Sequence, residues 1–490
     1  MSAPRKAVAA WKTAAAAFLT FTLLTTAAPA QRAVEPLPLT PDRAQRLNQG
    51  LTEILARRTS PSLSIAVVEG NRVVLTRAMG VADVTRGTAA TPSTRYLAGS
   101  VSKIFTAVAV MMQVEQKRID LDAPLSRYLP WAAHASEVTV RQAMMHRSGY
   151  PDYLTPAIAN GAVAGRTTPR QIIDRWAKRP LSFPPGSAYA YSNTNYVLLG
   201  LTVEAVTHTS LDAWLRIHVL EPCHMTTTTF GLPREAASVA MGYGPAQSTV
   251  APPLQSPGDL SWYYGCGDLV STPTDLARFD IALMQGRLVA PATLRLMIDA
   301  AKPTGEGPGQ TCGLGLQCLP LLGSRTLVGH HGGLPGFEAD DEMIPADGFA
   351  LVVMGNDFAF MTAPVLQLAL QTFYPGLVAT LEARQASTPP AKAPPGIDAR
   401  VHALLDQIAE GRLDGALLTP ALRAAMTPQT VSALATKLRP LGPLQALDYR
   451  GTDRIDTHVR YHYRVKFAHE AVDLTFVYDA TGLLAGLFFQ

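Results

Sequence analysis

Cysteine and charge are both scarce in this 490-residue chain: four cysteines, and 16% Asp, Glu, Lys and Arg combined. The 42 basic residues barely outnumber the 38 acidic ones, a formal charge of +4. A nucleic-acid binder carries a strong basic excess, so no nucleic-acid partner is expected. No Cys-x-x-Cys pair and no His-Glu-x-x-His motif is present, which argues against a zinc site and a catalytic metal. Cys223, Cys266, Cys312 and Cys318 allow three full disulfide pairings or four buried thiols, and both readings stay open. Long apolar runs are also missing. The one marked run, Ala14 to Leu24, is shorter than the ~20 residues a membrane span needs. Arg5, Lys6 and Lys12 precede it and Ala28-Pro29-Ala30 follows. Residues 1–30 therefore read as a secretory signal peptide cleaved near Ala30. Its removal takes three basic and no acidic residues, so +4 − 3 = +1 remains. A periplasmic or secreted protein without a stable membrane span is expected.

What is present is core material. Hydrophobic residues make up 47%, enough for two or three domains at about 100–200 residues each. Arg43, Leu47, Leu51, Ile54 and Leu55 recur at helical spacing. Ser62–Val68 and Val73–Ala78 are β-rich runs around a turn of Glu69, Gly70, Asn71 and Arg72. A long apolar helix is predicted from Val101 to Gln116. After a mixed helix-and-loop middle, strand-like runs return near Leu314–Leu319, Thr326–Val328 and Ala350–Asn356, with a last helix over Ala363–Phe373. Strands at both ends of a helical region predict one sheet closed late by distant segments. Residues 381–398 read as a semi-extended Pro-rich linker. Residues 399–490 read as a small α+β domain, with helices near Val401–Ile408 and Val431–Leu438. Strands are predicted over Val459–Phe467, Val472–Tyr478 and Leu483–Phe489, and His458, His462 and His469 are expected on exposed strand or turn positions.

Three segments carry chemistry. In Ser100-Val101-Ser102-Lys103 the Lys lies one helical turn after the Ser, on the same face. A serine hydroxyl needs a nearby base to become a nucleophile. A Lys on an all-apolar helix is buried and tends to lose its proton. The helix start also favours negative charge developing on a substrate oxygen. Tyr191-Ser192-Asn193 offers a phenol able to relay a proton and an amide able to bind a substrate carbonyl. Gly329-His330-His331-Gly332-Gly333 follows a strand and would let a substrate approach the backbone closely. Trp262, Tyr263 and Tyr264 fit cleft lining and core packing equally well. His146 fits a structural ring bonded to backbone near the cleft.

Taken in order, the three segments resemble the signature of the penicillin-recognising serine hydrolases, namely the serine β-lactamases, DD-peptidases and their esterase relatives. Met144–Tyr153 and Gly267–Ala277 resemble flanking segments of the class C branch, and the likeness covers about Arg43 to Tyr374. It implies an α+β fold, β-lactamase/transpeptidase-like, with an antiparallel sheet flanked by helices beside an all-helical subdomain, spanning 31–380. It implies that Ser100 is acylated, that Lys103 and Tyr191 share its proton, and that the backbone N–H groups of Ser100 and Gly333 form an oxyanion hole. Asn193 would hold both substrate and Lys103. His330 stands where the family has a Lys that binds a carboxylate, with His331 as the alternative frame and Gly332 completing the triplet. Loss of that permanent cation points away from an efficient β-lactamase and toward an esterase or peptidase. The substrate expected is an ester, amide or small peptide, with no cofactor. Two alternatives are a slowly acylated cell-wall or β-lactam sensor and, less well supported, a true β-lactamase. The C-terminal domain weakly resembles nuclear-transport-factor-2-like domains. Its role, the disulfide state and the oligomeric state stay open.

Overall fold

The computed structural model describes residues 36–490 except 58–59, 160, 234–237, 245–255, 306–308, 358–361, 388–391, 456–457, 470 and 490. The predicted signal peptide lies outside the described residues. Those described fall into two compact units, one running through 36–304 and 310–381, the other taking 305, 309 and the residues from 382 onward.

The larger unit is built on a nine-stranded antiparallel sheet. Its centre is closed by distant segments: Ser62–Glu69 pairs with Phe349–Gly355, Leu63 opposite Gly355 and Val68 opposite Ala350. Phe349–Gly355 pairs in turn with Phe337–Ile344, and that strand with Thr326–Leu334. The N-terminal hairpin and the late return of strands were both expected. The strand Phe337–Ile344 was not, because four of its side chains, Glu338, Asp340, Asp341 and Glu342, are of types depleted in strands. All eight of its residues are buried.

One face of the sheet packs against the helix Ser102–Glu115, which is buried on nearly every side, from Ser102 through Met111. With no Gly or Pro from Ser102 to Glu115, nothing interrupts it. The helix Asn193–Thr207 packs beside it and is buried from Asn193 to Gly200. The helix Pro273–Met284 has a defined start, since Thr272 Oγ1 accepts the Asp275 N–H (3.2 Å) and Pro273 occupies the first turn. Trp262, Tyr263 and Tyr264 are at most 8% exposed, which settles them as core. No helix among the described residues is long and apolar enough to cross a membrane. The four cysteines are buried thiols rather than disulfides.

The second unit holds a four-stranded antiparallel sheet in chain order, Leu444–Ile455, His458–Phe467, Ala471–Tyr478 and Leu484–Phe489. Its core takes Val401, Leu404, Leu405 and Ile408 from the helix Ile397–Ala409. Tyr463 Oη donates to Asp398 Oδ1 (2.6 Å), tying that helix to the sheet. His462 is a correction: it is 5% exposed, with Nδ1 2.8 Å from Thr475 Oγ1. The linker needs one too. Helix continues through Pro375–Ser387 and resumes at Ile397, so 381–398 is not extended throughout. Leu381, Glu382, Ala383 and Arg384 are good helix formers, and Pro stops a helix only from 389 on.

Asp280 and Asp341 give the larger unit a pH-dependent stability. Both are fully buried and face each other between helix and strand. Burial raises Asp341 to about 7, opposed by a hydrogen bond with Asp280 and aided by the Asp340 charge, and burial together with the Asp341 charge raises Asp280 well above the usual carboxylate range. A carboxyl group raised in the folded state stabilises when protonated. That contribution is full below the unfolded value near 3.8 and is lost as pH rises through about 7. The melting temperature should fall between pH 5 and pH 8, by an equivalent of a few kcal/mol. Asp341→Asn should flatten this dependence in thermal melts, and an unchanged slope would contradict the account.

Candidate active site

Ser100 lies in the short 3₁₀ turn Gly99–Val101, immediately before the buried helix. Ser102 fixes that turn from behind: its Oγ donates to the Gly99 carbonyl (2.7 Å) and accepts the Leu269 N–H (3.0 Å). Gly99 takes φ +52°, a conformation most side chains avoid. Lys103, one turn on, is completely buried. Its Nζ reaches Ser100 Oγ at 3.0 Å, Asn193 Oδ1 at 2.8 Å and the Cys266 carbonyl at 2.7 Å. Tyr191 Oη donates to Ser100 Oγ at 2.8 Å. Hydroxyl, amine and phenol, spread over 92 positions from 100 to 191, thus meet at one oxygen.

Burial dominates the electrostatics. It lowers Lys103 to about 8, against an opposing pull from Cys266, Asp152 and Asp268. It raises Tyr191 well above 10, so the phenol keeps its proton. His146 sits under the Tyr191 ring, stacked at 4.3 Å between centroids and 27°. Its Nδ1 accepts the Ser192 N–H (3.1 Å), the backbone-bonded ring that was expected. Burial holds it neutral.

The strand Thr326–Leu334 supplies the opposite wall. A Cβ on Gly332 would come within 2.0 Å of the Ala98 carbonyl and 3.0 Å of Ser100 N. A Cβ on Gly99 would come within 3.0 Å of Gly333 N. Only glycines allow the two backbones to lie this close. His330 is on the Tyr191 side, its ring 6.0 Å from the phenol. His331, the next residue on the strand, points to the opposite face of the sheet, so His330 is the one facing the site. Burial lowers His330 to about 3, assisted by Lys103. Its Nδ1 lies 2.5 Å from the His331 carbonyl. A carbonyl only accepts, so Nδ1 carries the proton and Nε2 is left as an acceptor. Among the described residues no cluster of His, Cys, Asp or Glu could hold a metal ion.

Two partners of the site went unread in the sequence. The Cys266 carbonyl could not be anticipated, because a backbone oxygen leaves no residue-type signal. Asp152 stands in a segment already noted, but an isolated Asp suggests only a local cap.

Residues 47–370 match the family model described as Beta-lactamase, about two thirds of the chain. The chain belongs to the beta-lactamase family. Within the serine β-lactamase superfamily its relatives are hydrolases. The Bacillus subtilis protein PbpX, named as a penicillin-binding protein, is 28% identical over 300 residues, 61% of this chain and 70% of PbpX. The teichoic acid D-alanine hydrolase of Staphylococcus aureus is 25% identical over 228 residues, 46% of this chain and 55% of the relative. The D-amino acid amidase of Ochrobactrum anthropi, crystallised with L-phenylalanine, superposes with a TM-score of 0.59 at 25% identity. That match covers 70% of this chain and 99% of the amidase. This family member accordingly has the β-lactamase/transpeptidase-like α+β fold and is a serine hydrolase of the β-lactamase and penicillin-binding-protein superfamily.

Proposed function

We propose that this protein is an exported acyl hydrolase that acts through a Ser100 ester on amides, esters or small peptides built from D-amino acids, of the kind found in bacterial cell walls. The observation that carries the reading is the meeting of Lys103 Nζ and Tyr191 Oη on Ser100 Oγ. Ser100 attacks the substrate carbonyl and passes its proton to Lys103. The oxyanion forms against the N–H groups of Ser100 and Gly333. Tyr191, kept as a phenol, protonates the leaving nitrogen or oxygen, and the same groups then direct water onto the ester. Residues 31–380 form the hydrolase domain and 399–490 a small α+β domain whose curved sheet resembles nuclear-transport-factor-2-like units.

The substrate class rests on His330. A neutral imidazole with a free Nε2 lone pair accepts a hydrogen bond from an N–H or an ammonium group and gives no ionic clamp to a carboxylate. That favours D-amino-acid amides and esters over penicillins. The amidase and D-alanine hydrolase activities of the relatives point the same way. Export is supported by the leader pattern of residues 1–30.

The test is a panel of substrates on purified protein: p-nitrophenyl esters, D- and L-amino-acid amides, a D-alanyl-D-alanine peptide and a chromogenic β-lactam. Turnover of D-amino-acid amides or esters well above the β-lactam is expected. Penicillin acylation without release would instead identify a sensor, and fast β-lactam turnover a β-lactamase.

A further inference from the structure

Asn193 is held from two sides. Its Oδ1 accepts from Lys103 Nζ (2.8 Å), and its Nδ2 donates to Asp152 Oδ1 (2.9 Å). The same Asp152 oxygen also accepts the Asn193 backbone N–H at 2.9 Å. Asn193 opens the helix Asn193–Thr207, whose N-cap Ser192 provides no side-chain hydrogen bond. The carboxylate from a loop 41 residues earlier takes over that duty. The other oxygen of Asp152 accepts the Thr155 N–H and Oγ1–H, both at 3.0 Å. Arg179 binds the Asp152 carbonyl at 2.7 Å. The side chain therefore has one orientation.

We propose that Asp152 is a positioning residue: its carboxylate fixes the amide of Asn193 so that the lone pair of neutral Lys103 is aimed at Ser100 Oγ. An amide can present either its carbonyl or its NH₂ to Lys103, and the two ends have nearly the same shape. An ionised carboxylate only accepts, so it requires the NH₂ on its own side and the carbonyl toward Lys103. The neutral amine then has two N–H bonds and one lone pair to place. The Asn193 and Cys266 carbonyls take the two N–H bonds. The third direction, 3.0 Å from Ser100 Oγ, is left for the lone pair. With the amide reversed, the Asn193 NH₂ would donate to that lone pair and the base would be occupied. The partners of Asp152 are Asn193, Thr155 and Arg179 rather than Ser100, so its effect runs through Asn193 and Lys103 and rests on the acylation reading above.

Asp152 also acts through charge. The titratable and charged groups facing Lys103 are Tyr191 and Tyr196, Cys266, Asp152 and Asp268, and the neutral rings of His146 and His330. Removing the Asp152 anion removes one of the influences that favour the ammonium form.

The experiment follows the rate of Ser100 labelling by a fluorophosphonate as a function of pH in wild type, Asp152→Asn, Thr155→Val and Ser100→Ala. Asp152→Asn keeps the size of the side chain but lets either end of the amide face it. Its plateau rate should fall by about 10²-fold, and its acid limb should move below that of wild type. Thr155→Val loses only the hydroxyl bond to the other Asp152 oxygen and should keep the wild-type limb, whatever its melting temperature. If Asp152→Asn shows the wild-type limb and plateau, or loses rate only in proportion to its folded fraction in thermal melts, Asp152 is structural and the proposal fails. Labelling of Ser100→Ala at the wild-type rate would overturn the acylation reading instead.

Discussion

Substituting Ser100 with alanine will remove covalent labelling by fluorophosphonate and lower kcat/KM by on the order of 10⁵- to 10⁶-fold, with the melting temperature nearly unchanged. The size follows from what is lost. Lys103 and Tyr191 both point at one oxygen, and among the described residues no other hydroxyl shares both contacts. Without that oxygen there is no acyl-enzyme, and the residual rate is what binding and the oxyanion pocket give to water attacking directly. Stability should hold because Ser100 Oγ bridges two side chains that keep other partners: Lys103 retains Asn193 and Cys266, and Tyr191 retains its stack on His146. Intact-protein mass spectrometry after incubation with the reagent, together with steady-state kinetics, gives both readouts. A wild-type adduct on the alanine variant would place the nucleophile elsewhere.

Lys103→Met should cost roughly 10²- to 10⁴-fold in acylation rate, the usual worth of a general base. Lys103→Arg should do no better, because a guanidinium does not give up its proton and cannot serve as the base. On the acylation route proposed above, the working form in the wild type is the neutral amine. The buried folded-state pKa is about 8, so kcat/KM should climb as pH rises through about 8 and level off above it. The direction is fixed by the chemistry: protonation occupies the lone pair that Ser100 needs. Tyr191 cannot produce this limb, since burial holds its proton far above that range. A profile that is flat from pH 6 to pH 9 would rule out Lys103 as the base. The stability loss attributed to Asp280 and Asp341 runs in the opposite direction over part of this range, so thermal melts must accompany the rates.

Much of this site was legible because its parts are side chains with distinctive chemistry at fixed spacing. Ser100 and Lys103 are three apart at the start of a helix whose apolar sequence announced its own burial. Tyr191 and Asn193 share a turn. The frame of the His330–His331 pair needed coordinates, because alternation along a strand decides which ring enters the cleft, and sequence alone could not say where that alternation starts. The helix Ala363–Phe373 was read to the residue, since its apolar spacing is regular and Pro364 marks its first turn. The strand Phe337–Ile344 was missed because four carboxyl groups conceal its β character. Only pairing on both edges, with Thr326–Leu334 and Phe349–Gly355, overrides that preference. The strand Leu444–Ile455 was missed because Gly451 and six charged or polar side chains interrupt its alternation. Asp152 was illegible as a partner of Asn193 because the relation is tertiary.

The joining of Ser62–Glu69 to Phe349–Gly355 has a consequence for how the enzyme comes into being. Almost three hundred residues must be available before the middle of the sheet can zip up, and the strand that walls off Ser100 arrives only just before the last of them. Contacts this remote along the polymer slow folding. A ribosome-bound chain therefore has no assembled site around Ser100, and catalytic power switches on only when nearly the entire larger unit has emerged.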